Sequence, residues 1–173
     1  MLVVAATELE LSHVRRFETF VCGIGPVEAA ATTARMLAER VPEAVLHVGI
    51  AGSRELAPLS VVLGAESIYS DLRAAIPVVD RLEPDSALFD RVRSSLPDAV
   101  VATIGTSAAV GATRAEVEAM EGFGVLRACA LAGVPAVELR IVSNLVGEPD
   151  RAKWKFLESF ELIGEVLDRL DVV

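Results

Sequence analysis

Phe17-Glu18-Thr19-Phe20-Val21-Cys22-Gly23-Ile24-Gly25-Pro26-Val27-Glu28-Ala29-Ala30-Ala31 is the stretch that decides the fold. Phe17–Cys22 is a short apolar run of the kind that forms a buried strand. Gly23-Ile24-Gly25 turns the chain. Pro26 then starts a helix at the one position where a missing N–H costs little. Val27, Ala30, Ala31, Ala34 and Ala38 mark the expected apolar face of that helix, and Pro42 ends it.

The same alternation extends outward in both directions. Leu2–Ala6 reads as a strand before the stretch, and Ala44–Val48 as one after it, running into a loop at Gly49-Ile50-Ala51-Gly52. Val61–Leu63 and Glu66–Tyr69 read as strands around Gly64. Asp85 can cap a helix to about Leu96, with Leu88, Phe89 and Val92 inward. Ala99–Ile104 is a strand, Gly122–Leu131 a helix that stops before Gly133, and Ala136–Val142 a strand. Asp150 can cap a last helix with the stripe Trp154, Leu157, Phe160, Ile163, Leu167 and Leu170. Continuous Val/Ile/Leu strands alternating with helices predict an α/β sandwich with a mostly parallel or mixed sheet.

At 173 residues, the chain suits a single domain over 1–173. The 53% hydrophobic content supports a packed core. A net charge of −9, with no basic stripe, argues against nucleic acid as a partner. Cys22 and Cys129 do not make a disulfide framework and read as small hydrophobes. With His13 and His47 they lack zinc-ligand spacing, so no metal is expected. The start MLVVAATELE carries no basic leader, and the uncharged run Ala99–Thr113 is too polar to span a bilayer. The expectation is a soluble cytoplasmic protein without a membrane partner.

Familiar phosphate and nucleophile motifs are absent. There is no P-loop. Gly23-Ile24-Gly25 begins a dinucleotide fingerprint, but Glu28 takes the third glycine's place, where a carboxylate would repel pyrophosphate. Gly105-Thr106-Ser107-Ala108-Ala109 lacks the second glycine of a nucleophile elbow. In α/β folds ligands gather at the carboxyl ends of strands. Glu8 and Glu10, the Gly49–Gly52 segment and Asn144 all fall there, which points to a small-molecule site.

Four segments in order carry a resemblance: Ala5-Ala6-Thr7-Glu8-Leu9-Glu10, Gly23 through Ala30, Gly49-Ile50-Ala51-Gly52, and Met120-Glu121-Gly122 followed by Glu138-Leu139-Arg140-Ile141-Val142-Ser143-Asn144. Together they resemble the nucleoside phosphorylase and nucleosidase superfamily. The resemblance implies a three-layer α/β/α sandwich with a mixed central sheet, hydrolysis of the N-glycosidic bond of a purine nucleoside, no cofactor, and a homodimer or higher homo-oligomer. Ser143-Asn144-Leu145-Val146-Gly147, with Asp150, Arg151 and Trp154 beyond, is similar to the futalosine hydrolase branch. There hypoxanthine is released from futalosine, leaving dehypoxanthine futalosine, in menaquinone biosynthesis. Methylthioadenosine/S-adenosylhomocysteine nucleosidases resemble the rest of the chain and carry Asp in place of Asn144. A non-catalytic nucleoside-binding protein is the alternative from another class.

By this resemblance Glu10 is the water-activating base, since a carboxylate can take a proton from water and stabilise an oxocarbenium-like state. Glu121 holds the ribose diol by accepting from two vicinal hydroxyls. Met120 packs on the sugar. Asn144 reads the base, and Arg140 and Asp150 are expected either to position its loop or to serve as a plain salt bridge and a helix cap. Gly49 and Gly52 let backbone approach the ligand, and Ser107 lies among the substrate-binding residues. Trp154 is expected to pack in the core. The acidic Glu8/Glu10 loop favours water over phosphate as the nucleophile.

Overall fold

A computed structural model describes residues 1–171. Eight strands form one mixed sheet: β1 (Leu2–Ala5), β2 (Glu18–Val21), β3 (Val45–Ser53), β4 (Val61–Tyr69), β5 (Arg81–Leu82), β6 (Val100–Thr106), β7 (Val117–Ala119) and β8 (Ala136–Leu145). Four α-helices accompany them: α1 (Pro26–Glu39), α2 (Ser86–Ser95), α3 (Gly122–Ala132) and α4 (Phe156–Asp168). β1 lies between β2 and β3, parallel to both. The rest of the sheet curls shut. β3 pairs with β8, β8 with β4, β4 with β6, β6 with β7, and β7 returns antiparallel to β3. No helix among the described residues is long and apolar enough to cross a membrane.

Alternation along the strands sorts the core. Leu46 and Val48 of β3 and Val137, Leu139 and Ile141 of β8 face α2 and α4, where Leu88, Val92, Ile163 and Leu167 complete one layer. The opposite face begins as a second layer under α1 and α3, built from Val45, Ala136, Met36 and Val125. It then passes into the closed part of the sheet, where Ala51, Ile104, Val117 and Val142 meet. Between these two apolar patches the same face carries His47, Gly49, Glu138 and Arg140. This polar interruption positions the site.

Several local expectations change. The buried face of α1 is Pro26, Ala29, Thr33, Met36 and Leu37, whereas Val27 is 75% exposed. So many alanines make almost any face read as apolar, and the two bulky residues decide which one is buried. β3 continues through Gly49–Gly52 instead of looping, because that segment pairs with β8 along its length. Val61–Leu63 and Glu66–Tyr69 are one strand with an irregularity after Gly64. Asp85 does cap α2, accepting from Leu88 N at 2.9 Å. Asp150 instead caps a short 3-10 turn, Arg151–Lys153, and α4 starts only at Phe156. Trp154 therefore precedes the helix, and Leu157 is 72% exposed and outside its buried stripe.

Candidate active site

β1 ends where Thr7–Glu10 folds back over the sheet. Glu10 is buried there and held from two sides: Thr7 N and Oγ1 each donate to Oε2 at 3.0 Å, and Ile50 N of β3 donates to Oε1 at 3.1 Å. Burial raises its pKa above the ordinary value, against the pull of Arg140 and the Ile50 N–H. A carboxylate so placed is a better proton acceptor than one in water. Glu8 is exposed, so the two acidic residues of that loop differ in kind.

Glu121 stands at the start of α3. Gly25 N donates to its Oε1 at 3.0 Å across 96 residues of sequence. Gly25 has φ 91°, a backbone region open to glycine, and this turns its N–H inward. Arg140 Nη1 lies 3.7 Å from Glu121 Oε2. The rest of the guanidinium is tied down behind the site: Nε donates to Glu138 Oε1 at 2.8 Å and Nη2 to His47 Nε2 at 2.6 Å. His47 Nδ1 donates to Val4 O at 3.0 Å, leaving Nε2 as the acceptor. Burial first, then Arg140, holds that ring well below the ordinary imidazole range, so it is neutral. Burial opposes the charge of Arg140, but Glu138, Glu121 and Glu10 together raise its pKa.

Asn144 reaches the site through a bulge. Ala51 pairs with Val142 but Gly52 with Asn144, so Ser143 is the extra residue on β8. Ser143 Oγ donates to Asn144 Oδ1 at 2.7 Å, and Asn144 Nδ2 donates to Leu145 O at 3.0 Å. Each side-chain atom keeps one free valence, an acceptor on Oδ1 and a donor on Nδ2. Lys155 N donates to Ser143 O at 2.9 Å and holds the Trp154–Phe156 segment alongside.

Glu10, Met120, Glu121, Asn144 and Gly52 line one open cavity of about 590 Å³, within the size of small-molecule sites. Its mouth is ringed by Leu9, Ile24, Val110 and Leu157, all exposed, and by Trp154 and Phe156, whose rings lie 5.4 Å apart. No basic side chain borders it among the described residues.

The phosphorylase superfamily profile matches residues 19–170. The chain belongs to the phosphorylase superfamily. Futalosine hydrolase from Streptomyces coelicolor is 33% identical over 185 aligned positions, which span 89% of this chain and 78% of that protein. The Thermus thermophilus futalosine hydrolase is 30% identical, over 86% of this chain and 78% of that one. The superfamily fold is also that of a Helicobacter pylori futalosine hydrolase mutant, with a TM-score of 0.85 at 18% identity over 97% of this chain and 96% of the other. A Streptococcus pneumoniae methylthioadenosine/S-adenosylhomocysteine nucleosidase with a transition-state inhibitor superposes with a TM-score of 0.82 at 18% identity, over 97% and 96%.

Other expected site residues of this superfamily member fall elsewhere. Ser107 stands outside the cavity, where its Oγ donates to Asp71 Oδ1 at 2.7 Å. Gly49 is approached by protein side chains, not by open space: a Cβ there would collide with Arg140 Nη1 and Glu10 Oε1. Of the two readings of Arg140 the salt bridge holds: its side-chain partners are Glu138, His47 and Glu121, none of them in the Asn144 loop. Trp154 is only half-buried and borders the cavity, with Nε1 donating to Glu148 O at 3.1 Å. Reading the sequence missed Glu138 and His47. One signal was available: Glu138 and Arg140, two apart in an apolar strand, must share a face and need each other there. Both thiols are buried, which pushes each up to about 12 and leaves neither as a nucleophile.

Proposed function

We propose that this chain, acting as a single cytoplasmic domain, hydrolyses the N-glycosidic bond of a purine nucleoside. Futalosine is the preferred substrate, giving hypoxanthine and dehypoxanthine futalosine in menaquinone biosynthesis. The observation that carries the reading is the convergence of Glu10, Glu121 and Asn144 on one cavity. Water loses a proton to Glu10 as its oxygen bonds to the anomeric carbon and the bond to the purine nitrogen breaks. Glu121 accepts from the ribose diol, and Met120 packs against the sugar. Asn144 pairs its free acceptor with a protonated N7 and its free donor with O6 of a 6-oxopurine. The N7 proton arrives by way of water, because an amide cannot supply it.

The curated relatives named futalosine hydrolase support the choice of substrate. The aromatic pair at the mouth, Trp154 and Phe156, suits a large 5′ substituent. The exposed apolar rim suits cover by a second copy of the chain, as a homo-oligomer requires. A pure binder has no need of a buried, hydrogen-bonded Glu10. The test is release of free purine from futalosine, inosine and methylthioadenosine, with and without phosphate or a chelator. Release from futalosine without phosphate is expected; a strict phosphate requirement would show a phosphorylase.

A further inference from the structure

Glu138 is a charged side chain with no route to the substrate. It sits in the middle of β8, fully buried, and does not border the cavity. Oε1 accepts from Arg140 Nε, and the buried Ser67 hydroxyl, which has no other partner among the described residues, lies close enough to the carboxylate to favour its charged form. The carboxylate fills the space a Cβ at Gly122 would need, so α3 must begin on glycine for it to fit. Burying a carboxylate this deeply is costly even when it is paired, and an apolar residue would avoid the cost. Arg140 is the charged group it touches, at 2.8 Å.

Arg140 is the cation built into the site from behind. Among the described residues Nη1 has no hydrogen-bond partner, and it crowds Gly49 from the same side as Glu10 Oε1. The guanidinium does not line the cavity, but an uncompensated positive charge just behind its wall would attract a phosphate through space. Paired with Glu138, it offers direction without net charge. A phosphate dianion facing Glu10 and Glu121, with Arg140 already compensated, meets a net negative field.

We infer that Glu138 determines which nucleophile the site accepts: by neutralising Arg140 it keeps phosphate away from the position where Glu10 holds water. The inference rests on the hydrolytic reading above, and it makes Glu138 a positioning residue that acts through Arg140.

Glu138→Gln keeps the shape and the bond to Arg140 Nε but removes the charge. Purine release is measured for both proteins against inorganic phosphate into the tens of millimolar. The wild type is expected to be indifferent. The variant should be inhibited, with apparent phosphate affinity raised roughly tenfold or more. Its acid limb of kcat/KM should move to lower pH, because Arg140 then acts on Glu10 with less compensation. Glu138→Asp, which keeps the charge, should remain indifferent. If melting shows that the amide variant does not fold, Glu138→Ala, with room for water beside Gly122, takes its place. Equal phosphate response in wild type and the uncharged variant overturns the inference and leaves hydrolysis standing, as does an aspartate variant as sensitive as the amide. Strong phosphate inhibition of the wild type overturns it without any variant. A wild type that releases purine only with phosphate overturns the hydrolytic reading itself.

Discussion

Gly49→Ala adds one methyl group at the most crowded point of the site. The new Cβ would overlap Arg140 Nη1 and lie 2.7 Å from Glu10 Oε1. Neither neighbour can yield cheaply. The guanidinium is fixed by Glu138 and His47, and Glu10 by Thr7 and the Ile50 N–H. Reaching an ordinary contact requires Glu10 or Arg140 to shift by about an ångström, a displacement that can cost about 100-fold in rate. Overpacking a buried site costs about 1–3 kcal/mol of stability. The expected result is a folded protein, with a modest drop in urea midpoint at unchanged slope, and a fall in kcat of about two orders of magnitude. Gly52→Ala is the comparison, since its Cβ would meet Val146 Cγ2 at 3.2 Å and Asn144 Nδ2 at 3.3 Å, tight but tolerable contacts. Its effect should be smaller and should fall on binding of the base. A Gly49→Ala enzyme with near wild-type kcat would refute the placement of Glu10 and Arg140 against that glycine.

Glu10→Gln should fold and lose most turnover, since the amide cannot take the water's proton; its loss in kcat is expected at about 100-fold or more, measured under saturating substrate. Stability and activity should trend oppositely with pH. Burial raises the folded pKa of Glu10 and Glu138 above the ordinary 4.5, so their contribution to stability is complete below that value and is lost as pH rises through the raised ones. Over the same window kcat should rise as Glu10 ionises, and urea melts across the range should show the Glu10 share of the slope disappear in Glu10→Gln. Asn144→Asp replaces the free donor by an acceptor and sets a carboxylate oxygen against Leu145 O. The kcat/KM ratio of 6-oxo to 6-amino nucleoside should drop by about 1–3 kcal/mol in free-energy terms, and an unchanged ratio would mean that Asn144 does not read the base.

Element existence was legible wherever local chemistry spoke for itself. Pro26 after two glycines, Asp85 three residues before Leu88, and Gly133 with φ 69° each fixed a helix end. What failed was whatever depends on distant partners. β7 is three residues long and is a strand only because β6 and β3 flank it. Nothing local in Val117-Glu118-Ala119 announces that pairing. Gly49–Gly52 read as a loop because glycine is poor in isolated strands. Here the small residues are what let Arg140 lie across β3 towards Glu10.

The same reasoning explains why the site was half visible. Glu10, Glu121 and Asn144 lie on the cavity wall, and their side chains suit the roles assigned to them. The missing half comes from register. β3 and β8 run parallel with His47 opposite Glu138 and Gly49 opposite Arg140. That pairing forces four residues from two distant segments onto one face between two apolar layers. An arginine there must be neutralised within the sheet or answered from the cavity. Glu138 does the first on one side of the guanidinium, while Glu10 and Glu121 lie on the other. The closed strands therefore hold a charge balance as well as a cavity. Gly49→Ala disturbs its geometry and Glu138→Gln its charge, so the two variants separate position from electrostatics in the choice of nucleophile.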